Sequence, residues 1–322
     1  MKVVFMGTPD FAVGALEAIV QAGHEVAAVV TQPDKPKGRG KEVQMTPVKQ
    51  CALKYEIPVF QPQKIREAEC VEQLRTYGAD IFIVAAFGQI LSEEILKMPK
   101  YGCVNIHASL LPKYRGAAPI QWVILNGESE TGITIMQMDV GLDTGDMLLK
   151  CVVPIDAKET GESLHDKLSE VGAKLIVEAL PKIEKGELIP RKQDETQANY
   201  VGMIKKSLGH IDWSKEAVEI DRLVRGLNSW PSAYTYYNKK TLKIWESEPV
   251  DETGTAMNDT EAGVTSDAPN GSIRKVEKEA FYVKTGKGLL KVTEVQLEGK
   301  KRMRVKDFLL GYPLTEGILL GE

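Results

Sequence analysis

Three polar side chains, an amide, an imidazole and a carboxylate, stand at the two ends of one stretch of this chain and could act together on a carbonyl group. Asn105 and His107 end an apolar run that starts at Cys103, as residues do at the end of a buried strand. Because they are two positions apart, their side chains lie on the same face of a strand. Asp143 belongs to a Gly- and Asp-rich loop at 139–146. We expect that loop to fold back towards Asn105 and His107.

The chemistry that suits these residues is acyl transfer to an acceptor that attacks directly. Asn105 offers N–H donors and His107 a donor or a proton, and both can stabilise charge that develops on a carbonyl oxygen. Asp143 can orient the imidazole, or accept a proton from an attacking amine directly or through one water. Spacing alone leaves other interpretations open: an asparagine that bonds within a turn, a histidine paired with a carboxylate, or a metal site formed by His107, Asp143 and Asp146.

The elements around these residues are predicted from proline, glycine and apolar alternation. Proline and glycine interrupt 109–116, which predicts an irregular segment. Proline in the first turn and glycine after the end predict a helix at 119–126. Alternation at 132–138 predicts a strand, with a return strand at 147–153 after the loop that carries Asp143.

The beginning of the chain predicts a Rossmann-like, mostly parallel sheet. Strands at 3–6 and 26–30 flank a helix at 11–22, and the continuous apolar run at 80–86 predicts a central parallel strand. The turn after the first strand, at 7–12, lacks the second glycine of the dinucleotide-binding fingerprint. We therefore expect no NAD site.

Composition is that of an ordinary globular protein. Its 322 residues suggest two domains, and no run approaches the roughly 18 apolar residues of a membrane span. The 4 cysteines show no CxxC spacing and no secretion signal precedes them, so we expect a reduced protein in the cytoplasm. The formal net charge of -4 gives no overall signature of nucleic-acid binding.

The C-terminal part differs in character from the first. We expect a catalytic domain at 1–189, a polar linker at 190–208 and a smaller domain at 209–322. In the last of these, several short β-rich pieces follow one helix and predict a β-barrel, with the oligonucleotide-binding (OB) type as one candidate. An acidic insert at 251–270 is predicted to be disordered.

Long, ordered motifs of this chain resemble the folate-dependent formyltransferases. They are Asn105-Ile-His107 with the adjoining SLLPKYRGAAPIQW, and the later GITIMQMDVGLDTGD, joined by the N-terminal MGTPDFA and the loop TQPDKPKGRGK. The resemblance covers the whole chain, more loosely in its C-terminal part. It implies 10-formyltetrahydrofolate as the formyl donor, no metal, and the methionine amine of initiator tRNA as the acceptor, in translation initiation.

The resemblance also implies roles for particular residues. Asn105, His107 and Asp143 become the catalytic residues. A folate site would follow the carboxyl end of the central strand, where ligands bind in open α/β sheets, although a plain turn and minor core are the alternative. Its residues are Phe87, Gly88, Ile90 and Leu91 after that strand, and Ser109, Leu110, Leu111 and Pro112 after His107.

Basic residues are the expected contacts of tRNA phosphates, and the resemblance implies Arg39, in a mobile loop at 31–47, as the main one. Solvated lysines of no function are the alternative for any single position. Other formyl acceptors, an amino sugar nucleotide or glycinamide ribonucleotide, remain alternatives, as does a nucleic-acid-binding module without chemistry. We expect a monomer. The basic residues are Lys35, Lys37, Arg39, Lys41, Lys205, Lys206, Lys301, Arg302 and Arg304.

Overall fold

The computed structural model describes residues 1–37, 42–251 and 268–321, and its contacts divide the chain into two compact units. Arg39, Lys41 and most of the acidic insert lie outside the described residues. The N-terminal unit comprises Met1–Pro119, Glu130–Pro154 and Leu164–Gly202, and the C-terminal unit comprises Ile120–Ser129, Ile155–Ser163 and Met203–Glu322.

Up to residue 202 the described chain alternates between short strands and helices. The strands are β1 (Lys2–Gly7), β2 (Glu25–Val30), β3 (Lys35–Lys37), β4 (Glu42–Gln44), β5 (Val59–Phe60), β6 (Ile81–Ala85), β7 (Cys103–His107), β8 (Arg115–Gly116), β9 (Glu130–Gln137), β10 (Met147–Pro154) and β11 (Tyr200–Val201). The helices are α1 (Val13–Gln21), α2 (Pro47–Lys54), α3 (Ala68–Thr76), α4 (Glu93–Leu96), α5 (Pro119–Leu125) and α6 (Gly161–Glu184).

Seven strands form the main sheet of the N-terminal unit, in the order β10-β9-β7-β6-β1-β2-β5. The pairs from β7 to β5 are parallel, whereas β9 runs antiparallel to β7 and β10 antiparallel to β9. The predicted Rossmann-like, mostly parallel sheet is confirmed. Because β6 and β7 are parallel neighbours, the segments that follow them emerge at the same edge of the sheet.

Apolar side chains pack helices against this sheet. This packing stabilises the strands β6 and β7, which carry the candidate site. Strand β6 is buried along its whole length, which explains its unbroken apolar sequence. The buried cluster around it includes Val4, Met6, Val71, Leu74, Phe82, Val84 and Ile95.

Three segments have more regular structure than the sequence indicated. The loop at 31–47 contains the hairpin β3–β4. The irregular segment at 109–116 ends in β8, which pairs with β11. β11 lies within the predicted linker at 190–208, and that part of the linker groups with the N-terminal unit. Strands of two or three residues are too short to leave a periodic signal in the sequence.

From Met203 onward, the described part of the C-terminal unit forms an antiparallel sheet and two α-helices. The sheet has the order β12-β13-β16-β15-β14, and β17 pairs with β16. The second helix begins at Val305, directly after the last strand. The strands are β12 (Ala233–Tyr237), β13 (Lys240–Val250), β14 (Ile273–Val276), β15 (Phe281–Lys284), β16 (Leu289–Leu297) and β17 (Met303–Arg304), and the helices are α7 (Ala217–Gly226) and α8 (Val305–Gly311).

The C-terminal tail links the two edge strands of this sheet. The amide of Ile273 on β14 donates to the carbonyl of Ile318, and the amide of Gly321 donates to the carbonyl of Tyr236 on β12. The tail thereby bridges the two edges of the sheet, as closure of the predicted barrel requires. In the part of the chain that the structure describes, no helix has the length and apolar character to cross a membrane.

Candidate active site

Asn105 and His107 lie near the carboxyl end of β7, as the apolar run predicted. Asn105 is half-buried opposite Met136 of β9, and its side-chain amide makes no hydrogen bond with any residue the structure describes. His107 is 6% exposed, and its Nε2 lies 3.0 Å from the carbonyl oxygen of Tyr114. A carbonyl only accepts, so Nε2 carries the hydrogen of this bond. The neutral ring then presents a lone pair on Nδ1.

Asp143 folds back to this histidine from its loop between β9 and β10. Its Oδ2 lies 3.7 Å from His107 Nδ1 and accepts a 2.7 Å hydrogen bond from the backbone N–H of Gly116. Because 3.7 Å exceeds a hydrogen-bond distance, the Tyr114 carbonyl rather than Asp143 orients the imidazole. This revises the expectation that Asp143 orients His107. The two side chains nevertheless face one another at the end of β7.

The segment after β6 contains both buried and exposed side chains. Phe87 and Leu91 are buried, and the Phe87 carbonyl accepts hydrogen bonds from two side chains of earlier loops. Gly88 has a φ of 83°, a left-handed conformation that suits glycine. Ile90 is 70% exposed. Gly88 and Ile90 can therefore contact a ligand, while Phe87 and Leu91 support them from the core.

The second segment that the sequence predicted to bind folate, 109–112, is similarly divided between buried and accessible residues. Ser109 and Leu111 are buried, which places their side chains behind the surface rather than in contact with a ligand. Thr134 accepts from the Leu111 amide and donates to the Ser109 carbonyl. Leu110 and Pro112 are half-buried and remain accessible. The sequence could not separate these pairs, because a loop has no regular alternation of faces.

Two apolar residues beside the candidate catalytic carboxylate were not among the predicted site residues. Val140 is 73% exposed and Leu142 is 59% exposed in the loop that carries Asp143. Aliphatic side chains in a Gly- and Asp-rich loop are the signal that could have identified them. They are candidates for the apolar wall of a flat ligand next to Asp143.

A buried arginine was also not predicted, although it lies in the motif after His107. Arg115 is 0% exposed, and its guanidinium contacts Glu195 and Tyr200. Hydrogen bonding to the Glu195 carboxylate raises the pKa of this guanidinium above its ordinary value. An arginine is almost never fully buried unless it is paired, so the ion pair with Glu195 is part of the packed structure of the N-terminal unit.

The two predicted tRNA contacts on β17 and just before it already have partners. Arg302 forms an ion pair with Glu294 and lies 4.7 Å from the centre of the Trp245 ring. Arg304 forms an ion pair with Glu246. Both arginines would have to exchange a carboxylate for a phosphate in order to bind tRNA, which makes them weaker candidates.

The predicted lysine contacts are more accessible. Side chains of this group that the structure describes are all exposed, and a phosphate could approach them without displacing a carboxylate. For Lys37 the structure describes the backbone alone. The exposed side chains are those of Lys35, Lys205, Lys206 and Lys301.

Among the described residues, no three His, Cys, Asp or Glu side chains converge as metal ligands would. Asp146, which the sequence left open as a ligand, lies 4.0 Å from the ammonium group of the exposed Lys192.

Comparisons with known proteins assign the chain to a family. Residues 1–180 match the formyl transferase model, and residues 203–313 match the model of the formyl transferase C-terminal domain. Methionyl-tRNA formyltransferases of Agathobacter rectalis and Lachnospira eligens are 57% and 53% identical, over 98% and 100% of both chains. The sugar 3N-formyl transferase WlaRD shares the fold, with TM-score 0.64 and 21% identity, over 94% of this chain and 99% of that one. The chain therefore belongs to the formyl transferase family, alongside these methionyl-tRNA formyltransferases.

Proposed function

We propose that this chain transfers the formyl group of 10-formyltetrahydrofolate to the α-amino group of methionine carried by initiator tRNA, at the start of protein synthesis. The observation that carries the acceptor is the 57% identity to a methionyl-tRNA formyltransferase over 98% of both chains. That identity spans the N-terminal unit with its candidate site and the C-terminal unit alike. Cytoplasmic localisation is part of this proposal, since charged tRNA is the substrate.

The reaction needs positioning and electrostatics more than a protein nucleophile. A free α-amino group titrates near pH 8, and an ester neighbour lowers that value, so much of the amine is nucleophilic at neutral pH. Its nitrogen forms a bond to the formyl carbon, and the bond from that carbon to the folate N10 breaks. One proton leaves the amine and one reaches N10. The enzyme holds both substrates, stabilises the oxyanion and moves the proton.

The residues at the end of β7 have the groups for these tasks. The amide N–H groups of Asn105 can donate to the oxyanion of the tetrahedral intermediate. His107 Nδ1 and Asp143 Oδ2, 3.7 Å apart, can take the proton from the attacking amine and pass it towards N10. Backbone groups of the segment after His107 hold both acceptors, so they need little rearrangement during the reaction.

The formyl donor fits the edge formed by the segments after β6 and β7. Ile90 on the first segment and Leu110 and Pro112 on the second offer apolar surface, and Gly88 lets the backbone approach a ring closely. WlaRD, which shares this fold, was solved in the presence of 5-N-formyl-THF, a related formyl folate. The exposed aliphatic side chains beside Asp143 would complete the apolar wall.

Exposed basic side chains of both units would meet the tRNA backbone. In the C-terminal unit these are Lys205, Lys206 and Lys301, and in the N-terminal unit Lys35. Lysine ammonium groups neutralise phosphates without reading the base sequence.

The test is transfer of a labelled formyl group from 10-formyltetrahydrofolate to three acceptors: methionyl initiator tRNA, methionyl elongator tRNA and an amino sugar nucleotide. We expect label on the initiator, recovered as N-formylmethionine after mild base hydrolysis of the ester. Label on the sugar nucleotide with none on tRNA would overturn the proposed acceptor. Absence of label on every acceptor would overturn the proposed chemistry.

A further inference from the structure

The side chain of Gln193 connects the buried arginine to the backbone around Asp143. Gln193 lies in the segment that the sequence predicted as a linker, yet it is only 9% exposed. Its Oε1 accepts a 2.9 Å hydrogen bond from Arg115 Nε. Its Nε2 lies 2.7 Å from the carbonyl oxygen of Asp143 and 2.8 Å from that of Gly145.

The orientation of this amide follows from its neighbours. A guanidinium only donates and a backbone carbonyl only accepts, so the Gln193 oxygen must face Arg115 and the nitrogen must face the loop. The reversed amide would place a donor against a donor and an acceptor against two acceptors. Arg115 thereby selects the orientation in which Gln193 can hold the loop of Asp143.

Arg115 is itself fixed on several sides. Its Nη1 and Nη2 donate to the two carboxylate oxygens of Glu195 at 2.9 and 2.7 Å, and Nη1 also lies 3.0 Å from the Tyr200 hydroxyl. The backbone amide of Arg115 donates to the carbonyl of Asn199 at 3.0 Å. A planar guanidinium held bidentately has little rotational freedom, so it is a rigid partner for Gln193.

Asp143 has a backbone conformation that needs such support. Its φ of 56° lies in the left-handed region, which is uncommon for a residue with a side chain. Gln193 holds the carbonyl of this residue, and the Gly116 N–H holds its carboxylate. Because Arg115 and Gly116 together form β8, one short strand determines both where the loop lies and where the carboxylate points.

We propose that Gln193, oriented by Arg115, is a positioning residue that holds Asp143 beside His107 for formyl transfer. This inference rests on the proposed function, since it gives the carboxylate of Asp143 a part in the reaction. Gln193 is not assigned a contact with either substrate. Its effect on catalysis passes through the loop that it holds.

The sharpest variant is Gln193→Glu, which keeps the size of the side chain and can still accept from Arg115. It cannot donate to the carbonyls of Asp143 and Gly145. We expect kcat to fall by about 10–100-fold with KM for both substrates unchanged, because a small displacement of a catalytic group is costly. Gln193→Leu removes both contacts and should show at least the same loss. The matched control, Gln73→Glu on the exposed face of α3, should retain normal kcat.

A double-mutant cycle separates positioning from a general structural role. In an Asp143→Asn background the carboxylate is already absent, so adding Gln193→Glu should change the single-turnover rate by less than about twofold. An equal loss in both backgrounds would show that Gln193 acts by another route and would overturn the inference. A wild-type kcat in Gln193→Glu alone would overturn it as well.

Amide hydrogen exchange gives a readout that does not depend on formyl transfer. In Gln193→Glu, peptides covering 139–146 should exchange faster than in the wild type, while those covering β6 should not change. Unaltered exchange in this loop would overturn the inference whatever the activity. A different outcome is faster exchange of the loop in Gln193→Glu together with a wild type that transfers no formyl group. That outcome would overturn the proposed function, while Gln193 would still be the residue that supports the loop.

Discussion

At the scale of single residues, the proposed mechanism depends on which nitrogen of His107 carries a hydrogen. Nε2 donates to the Tyr114 carbonyl at 3.0 Å, so Nδ1 is the nitrogen that can receive a proton, and it faces Asp143 at 3.7 Å. Asn105 supplies donors from the same face of β7. The proposed mechanism therefore separates two tasks: an amide would stabilise negative charge, and an imidazole–carboxylate pair would handle the proton.

Replacing Asn105 tests the first of these tasks. Asn105→Ala removes the amide donors and should lower kcat by about 10²–10³-fold, the usual cost of losing one oxyanion donor. Because this amide makes no hydrogen bond with the described residues, thermal unfolding should change little. Rapid-quench formylation and calorimetry measure the two effects, with Gln73→Ala on the exposed face of α3 as the control. A kcat within a factor of about three of wild type would remove Asn105 from the mechanism.

The sequence indicated the residue types of this candidate site but not the groups that hold them. Strand spacing and a long motif indicated Asn105, His107 and Asp143, because their side chains are chemically distinctive. The groups that hold two of them are the carbonyl of Tyr114 and the N–H of Gly116. Every residue has a carbonyl and nearly every residue an N–H, so no pattern of residue types could have indicated these partners.

At the scale of elements, polar contacts fix the base of the hairpin β3–β4. Asp34 accepts 2.5 and 2.7 Å hydrogen bonds from Lys49 on α2 and from Gln61. Lys35, the next residue, begins the hairpin with an exposed side chain. These contacts hold the residue that precedes the hairpin, and a fixed base would lower the entropy lost on meeting tRNA.

The contacts of Asp34 predict a dependence of stability on pH. Hydrogen bonds from Lys49 and Gln61 hold the pKa of Asp34 below its ordinary value of 3.8. A depressed folded-state pKa stabilises the protein above the unfolded value, and this contribution is lost as pH falls through the folded pKa. Asp34→Asn should therefore lower the unfolding free energy by about 1 kcal/mol at pH 7, and by progressively less as the pH falls below 3.8. Denaturant titrations of both proteins measure this, and an equal difference at every pH would contradict it.

Elements held by long apolar runs were predictable, and elements held by distant backbone pairing were not. The runs of β6 and β7 gave strands close to their observed bounds, because burial requires unbroken apolar sequence. β8 and β11 have 2 residues each and are strands through pairing with one another. Nothing in Tyr200–Val201 alone indicates a partner so far away in the chain.

At the scale of the whole molecule, one family match covers the first 180 residues and another covers residues 203–313 of the C-terminal unit. A parallel sheet with ligand-binding loops at its edge suits a small formyl donor. A compact antiparallel domain with exposed lysines suits a polyanion whose sequence need not be read. Each unit thus has the features that one of the two proposed substrates requires.

The lysines at the end of the linker predict the salt dependence of tRNA binding. Lys205→Ala with Lys206→Ala should weaken tRNA binding and lower the slope of log Kd against log salt by about one for each phosphate that is no longer neutralised. Arg304→Ala should have a smaller effect, because that arginine already pairs with Glu246. Filter binding over a range of salt concentrations measures the slope, with KM for the folate donor as the control. An unchanged slope in the double lysine variant would contradict this assignment.

The central claim is that the carboxylate of Asp143, held beside His107, moves the proton during formyl transfer to methionyl tRNA. The most direct measurement is the single-turnover rate of formylation of methionyl initiator tRNA by wild type, Asp143→Asn and His107→Asn, with folate and tRNA saturating. We expect transfer by the wild type and a loss of about 10²–10⁴-fold in each variant, as for other acid–base groups. Near-normal rates in both variants would contradict the account.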